Sequence, residues 1–466
     1  MKAEQNNVKK LMPCLMILFV LANLMVQAFV TVSPAMAQDF SISASTVSMT
    51  VTMSTIVLGV CSVIYGTLSD YIPVKRLLVF GIMAFALGSL IGLVFQNVFI
   101  MVVVARAVQT VGQAAISSLY IVIASRYTHG PEKIRYFAYF SACFQIAQAL
   151  GVLAGGVIAT YINWRMLFVI SLVSIIFIPF VFKYAPVEAR GETKKIDFPG
   201  ILLFSAVIVI MTLLLNHTTA FLLITELVVT GIFFIYISKN NNAFITPKFF
   251  QQNKKYTKAI FLVFVIYLAQ FAFAFLYTFI VSGLYDNALD LVSYILLPGY
   301  IAAAAAGVAS AKIIKRIGSY KTVQVGILMI ITGLISAGIL MDRGKIVLSV
   351  AAVIYFVGYN VLYSPMLNIV TEALPEKEVG RGIGINDLTI NISSSIGVAI
   401  CSRLMVSKAF GAVWLTRLGG ELTVYSNIML LLAVTGLASL LLLFTVMKPR
   451  HCRGEQGTFV AQNKCQ

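Results

Sequence analysis

Long apolar runs separated by short polar links make up nearly the whole chain. Fourteen reach membrane length, roughly at 11–37, 46–69, 77–96, 99–124, 136–161, 166–182, 198–216, 219–237, 258–283, 291–311, 322–341, 346–370, 382–407 and 425–447. A lipid core needs about 20 apolar residues per helix. The runs are continuously apolar and lack the period-two alternation of a barrel strand, so they predict helices. The expected fold is all-α and integral to the membrane, with the lipid bilayer as its main partner. Composition agrees: 60% of the 466 residues are hydrophobic and 11% charged, which no soluble domain of this size shows.

The runs fall into a six–two–six order. Residues 1–182 are expected to form an N-terminal six-helix bundle, and 183–257 a charged linker carrying two extra transmembrane helices. Residues 258–447 are expected to form a C-terminal six-helix bundle, and 448–466 a cytoplasmic tail. Six plus six is the order of a duplicated transporter whose halves rock about a central site.

The net charge of +17 raises the question of nucleic acid, and its distribution answers it. With the N-terminus in the cytoplasm, 27 of the 34 Lys and Arg lie on the cytoplasmic side, six lie outside, and Arg106 is intramembrane. This is the positive-inside bias; it places both termini in the cytoplasm of a multi-pass cell-membrane protein. A nucleic-acid patch would concentrate on one soluble domain, so no nucleic-acid partner is expected. Lys9-Lys10, an apolar run and Ala35-Met36-Ala37 imitate a signal peptide, but the run exceeds an h-region of about 7–15 residues; an uncleaved first helix is expected. Six cysteines without a C-x-x-C spacing and three unclustered histidines predict neither disulfides nor a metal site. The absence of G-x-x-x-x-G-K-[ST] argues against ATP-driven transport, and loops without clustered His, Asp or Glu argue against a membrane enzyme.

Several motifs carry chemistry. The link Gly66-Thr67-Leu68-Ser69-Asp70-Tyr71-Ile72-Pro73-Val74-Lys75-Arg76 sets an acid and two bases between membrane-length runs. Asp70 ends the second span, where a further anion is unfavourable unless paired. Lys75 and Arg76 lie near it in sequence, and Gly66 would admit close helix contact. The link thus reads as a latch that breaks when the bundles part. A counterpart after the tenth span, Gly307 to Gly318, keeps the bases Lys312, Lys315 and Arg316 but lacks the acid. In span four, Arg106, Gln109, Gln113, Ser117 and Tyr120 share one helical face. An intramembrane cation costs about 2.5–3.5 kcal/mol on insertion scales and must face the interior. Asn23, Gln27 and Thr31 form a matching stripe in span one. Span five carries Gln145 and Gln148, then the small residues Gly151, Gly155 and Gly156 suited to helix packing. Asp387, with Asn391 and Ser394, gives span thirteen a polar face. Tyr267, Gln270 and Tyr277 in span nine and Tyr359 and Asn360 in span twelve offer an aromatic and amide surface.

On these residues the chain resembles the 14-span drug–proton antiporters of the major facilitator superfamily, and among them the tetracycline efflux proteins of Gram-positive type. The resemblance rests on Gly66–Arg76, Arg106-x-x-Gln109-x-x-Gly112, Gly151-x-x-x-Gly155-Gly156, Asn163-Trp164-Arg165, Asp197-x-x-Gly200 and Pro298-Gly299. It implies a major facilitator fold of two six-helix bundles plus two extra central helices. It implies an antibiotic-resistance exporter that exchanges a small amphipathic substrate for protons. The drive would be the proton gradient, with no cofactor, and the transporter would act as a monomer. It implies gating by Gly66, Asp70, Lys75 and Arg76, and proton coupling or cavity roles for Arg106, Gln109, Gln113, Gln148, Asp387 and Asn391. Arg106 is expected to bond backbone carbonyls of span one. Asn23, Gln27, Gln270, Tyr277 and Tyr359 would line the substrate cavity. The chain departs from the family at Val152, where a proline is usual. The tetracycline pumps carry carboxylates where Gln148, Lys315 and Ser394 stand, and the wider group has one near Met25. Of the deep acids left, Glu226 lies in span eight away from the expected cavity and Glu372 near the end of span twelve, so Asp387 is the one expected to bind a proton or cation. The alternative is a transporter of a native metabolite, lipid-like acid or cation.

Overall fold

The computed structural model describes residues 2–69, 72–128, 130–186, 197–216, 219–240, 245–285, 288–375, 378–412 and 421–446. Much of the charged linker (187–196) and the C-terminal tail beyond residue 446 lie outside this set. No strand occurs among the described residues, and thirteen of their helices are long and apolar enough to cross a membrane.

The first six long helices are α1 (Lys2–Thr31), α2 (Met49–Leu68), α3 (Val74–Val94), α4 (Phe99–Tyr127), α5 (Gly130–Tyr161) and α6 (Trp164–Tyr184). The middle pair is α7 (Phe198–Asn216) and α8 (Ala220–Lys239). The second group begins with α9 (Lys254–Leu284), then α10 and α11, the two parts of Leu289–Ile339. It ends with α12 (Lys345–Glu372), α13 (Val379–Met405) and α14 (Glu421–Val446). Helix α7 occupies the place of the remaining expected span and carries the apolar stretch Pro199–Met211 among the described residues.

Several expected runs are subdivided. The run at 11–37 ends its first helix at Thr31; a short helix, Ser33–Asp39, follows with Pro34 in its first turn, where a missing N–H costs nothing. Ser48 separates the short helix Ala44–Val47 from α2. The supposed link Gly307–Gly318 is itself helical, and the chain turns only at Gly318, with φ 80° and ψ 160°. A side chain would clash in that conformation, so glycine is required. The bases Lys312, Lys315 and Arg316 therefore ride on a helix end rather than on a loop like the one after α2.

Helices α1 to α6 pack among themselves, as do α9 to α14. The two bundles meet along two seams, α2 against α13 and α5 against α10. We call the side where α1 begins the near face and the opposite side the far face. The α7–α8 pair lies across the first seam. Ile201 and Ile208 of α7 share an apolar cluster with Ile56 and Val60 of α2 and with Leu388 and Ile392 of α13. Asp197 caps α7 by accepting from Gly200 N at 3.0 Å and bonds the Tyr236 hydroxyl of α8, which accounts for the Asp197-x-x-Gly200 motif.

Helix α9 is interrupted at Leu268–Ala269. Buried carbonyls need donors, and the neighbouring helices supply them. Tyr359 donates to Ile266 O at 2.7 Å and Ser394 to Tyr267 O at 3.2 Å, while Ser393 bonds Phe264 O; Ala269 O, which keeps its helical donor Phe273 N at 2.9 Å, also accepts from Tyr355 at 2.6 Å. Gly397 of α13 leaves room for Leu268 O, which an added Cβ would strike.

Candidate functional site

At the far face the bundles are tied together. Ser293 of α10 donates to Val152 O at 2.5 Å, and the Asp290 backbone donates to Thr160 Oγ1 at 3.0 Å. The Tyr161 hydroxyl reaches Asp290 at 3.3 Å. On the other seam Ser48 and Ser402 share a hydrogen bond at 2.9 Å, and Ser395 donates to Thr52 O at 3.0 Å. Val152 thus serves through its carbonyl, which a proline there would also have offered.

Towards the near face the α2–α13 seam parts. Gly59 of α2 packs against α13, where an added Cβ would lie 2.9 Å from Asn391 Cβ. Two turns further along the same face, Gly66 has nothing within 4 Å of such a Cβ, and neither has Gly384, two turns before Asn391. The close contact expected at Gly66 is therefore absent in this conformation, because α2 and α13 diverge below Gly59. Between the divergent helices lie partly exposed polar groups. Gln145 of α5 bonds Asn360 of α12 across the gap. Asp387 and Asn391 of α13 are half-buried, as are Gln270 and Asn360, and Tyr363 is 40% exposed. Asp387 bonds Asn386 and lies within electrostatic reach of Tyr256, Tyr267 and Tyr363.

The N-terminal bundle holds a buried polar stripe where span one and span four were expected to match. Gln113 donates to Asn23 Oδ1 at 3.2 Å, and Asn23 donates to Ser117 Oγ at 3.3 Å and to Phe19 O at 2.8 Å. Arg106 is 1% exposed. Its expected backbone partners in α1 give way to an aromatic one: the guanidinium stacks 4.2 Å from the ring centre of Phe29, and its Nη1 bonds Gln109. Gln109 in turn donates to Ser89 at 2.9 Å and to Ser171 at 2.7 Å. A desolvated guanidinium over a ring is a cation–π contact worth up to about 2 kcal/mol, which offsets part of its burial. Gly151 and Gly155 seat α5 on α1; an added Cβ on Gly151 would lie 2.9 Å from Gln27 Cβ, and one on Gly155 2.8 Å from Ala28 O. Gly156 faces the other way, onto Leu289 and Ser293 of α10.

Some expected site residues lie elsewhere. Tyr277 is fully buried, stacks on Phe273 at 4.7 Å and donates to Leu348 O at 2.5 Å. It belongs to the packed interior because its hydroxyl has a backbone partner. Tyr359 is 5% exposed, and its hydroxyl is committed to the α9 break. Asp70 lies outside the described residues. Of the latch bases, Lys75 sits 5.2 Å above the Phe182 ring and Arg76 is exposed. A residue the sequence reading passed over holds this corner. Arg126, at the end of α4, donates to Ser69 O at 2.8 Å and to Ser69 Oγ at 3.0 Å. Its place in the last turn of a helix facing the link was the available signal.

Two bundles closed at one face and parted at the other, with polar groups midway, is an arrangement that known proteins share. A sequence profile of the Major Facilitator Superfamily matches residues 15–398. The chain belongs to the major facilitator superfamily. It is 23% identical over 436 residues to the quinolone resistance protein NorB of Staphylococcus aureus (strain COL), covering 88% of this chain and 92% of that protein. It is also 23% identical over 382 residues to the riboflavin transporter RibZ of Clostridioides difficile (strain 630), covering 81% and 83%. Among solved structures, a mutant of the peptide transporter POT in complex with alafosfalin aligns with a TM-score of 0.69 at 13% identity, covering 94% of this chain and 96% of that one. At that identity the likeness concerns the fold. In a major facilitator transporter the substrate site lies near the midplane between the halves.

Proposed function

We propose that this major facilitator transporter is a secondary active exporter of amphipathic, drug-like compounds, tetracycline-type among them, exchanging them for protons across the cell membrane. It would work as a 14-span monomer with both termini in the cytoplasm. The near face is then cytoplasmic and the conformation inward-open, ready to load from inside. One observation carries the coupling: Asp387 is a half-buried carboxyl on the parted face of α13, with Asn386 as its bonded neighbour and tyrosines around it. A carboxyl so placed can load and release a proton as the gap opens and closes. Gln148, Lys315 and Ser394 supply no carboxyl where the tetracycline pumps have one, so the task falls on Asp387. Arg106, stacked and bonded within its own bundle, would hold α1, α3, α4 and α6 as one moving body.

The likeness to RibZ supports a second reading, transport of a native metabolite. A resistance and dye-efflux panel in a pump-deficient host decides between them. Export predicts raised tolerance to tetracycline and lowered ethidium accumulation; unchanged tolerance and accumulation on good expression would contradict it.

A further inference from the structure

Two buried amides in the centre of the molecule lack any partner among the described residues. Gln27 of α1 is 1% exposed and Gln148 of α5 is 4% exposed, and neither the Nε2 nor the Oε1 of either makes a hydrogen bond. Gln113 Oε1, on the adjoining stripe of α4, is unpartnered as well. Buried amides are normally bonded, so each such group asks for an explanation.

Their placement supplies one. Gln27 lies against Gly151, one turn from Gln148, so the two amides sit on facing sides of α1 and α5. A helix advances 100° per residue. Around α5, Gly151 and Gly155 point to α1, while Gln145 and Gly156 point to α12 and α10 of the other bundle. Gln148 falls between those two directions and is aimed at the junction of the bundles. That junction is the inner end of the parted region, beneath the Ser293–Val152 closure.

We infer that Gln27 and Gln148, with Gln113 Oε1, form the recognition edge of the substrate site, for the uncharged carboxamide or imide edge of a flat ring system. This rests on the export reading of the same region. Each amide offers two donors and a carbonyl acceptor, so a facing pair matches a ligand edge with C=O and N–H side by side. Carboxylates or ammonium groups would select charge instead, and none stands here. Arg106, the cation on that stripe, has its ring face and Nη1 engaged by Phe29 and Gln109 and leaves only its Nε unpartnered. Charge on the substrate or the proton is left to Asp387 in the other bundle.

The test compares binding of tetracycline, which bears a carboxamide, with its 2-nitrile derivative, which lacks that edge, in the purified full-length protein. The wild-type protein should bind tetracycline at least tenfold more tightly than the nitrile. Gln27→Met and Gln148→Met, which keep side-chain length, should each bring that ratio below threefold. Each should also raise the thermal midpoint of the ligand-free protein by a few degrees, because an unpartnered polar group has gone from the interior. An unchanged ratio with a lowered midpoint would show amides satisfied by water and overturn the inference. A wild-type protein that moves ethidium but binds tetracycline and its nitrile alike, or neither, overturns this inference and spares the export reading. A protein that moves none of the three compounds overturns both.

Discussion

At the residue scale, glycines that look alike in sequence differ in what they touch. An added Cβ at Gly397 would collide with Leu268 O at the α9 break, whereas at Gly66 it would meet open space. Gly397→Ala should therefore destabilise by about 1–3 kcal/mol, the usual cost of overpacking. Gly66→Ala should leave stability within about 0.5 kcal/mol. Thermal unfolding in detergent reads both; equal losses would contradict the placement of the two helices. Arg126 offers a second case. Its two bonds to Ser69 are charge-assisted, and such bonds contribute about 1.5–3 kcal/mol each. Arg126→Met should lower the midpoint by several degrees, and Ser69→Ala, which keeps the carbonyl partner, by less. The reverse order would mean the hydroxyl, not the carbonyl, anchors that corner.

At the scale of elements, the break in α9 shows where sequence reading stops. Around Leu268 the chain is apolar but for Gln270, with neither proline nor glycine to mark an interruption. The break exists because Tyr359, Ser393 and Ser394, more than 90 residues away, provide donors to the freed carbonyls. Such a tertiary partner leaves no local periodicity. The long apolar runs, by contrast, announce themselves, since every lipid-crossing segment must satisfy its own backbone. The same limit explains Tyr277 and Tyr359. Their residue type suggested a ligand surface, and only packing shows that their hydroxyls are bound to backbone. Removing one donor strands a buried carbonyl at a cost of about 1–3 kcal/mol, so Tyr359→Phe, which takes the donor from Ile266 O, should lower stability while circular dichroism shows unchanged helix content. A variant as stable as wild type would mean another donor, or water, serves Ile266 O.

At the scale of the whole molecule, the family was legible in the motifs and the conformation was not. Asn23, Gln27, Arg106 and Gln113 declared an interior face by their spacing, and the structure places them there. Asp387 declared itself by being a deep acid. Which face of the molecule is open depends on pairings such as Ser48–Ser402 and Ser293–Val152, which join residues from opposite bundles with no sequence signature. Thr160→Cys with Asp290→Cys, on the closed face, should crosslink readily and arrest transport until reduced. Gly66→Cys with Gly384→Cys, on the parted face, should crosslink slowly and faster once a substrate closes the gap. Equal rates for the two pairs would contradict an open near face.

The central claim is that Asp387 couples proton movement to export. Substrate-induced proton flux in proteoliposomes tests it most directly, with a pH-sensitive dye recording protons as tetracycline or ethidium is added. The account predicts proton release with the wild-type protein and none with Asp387→Asn at equal incorporation. Wild-type flux in Asp387→Asn would contradict it.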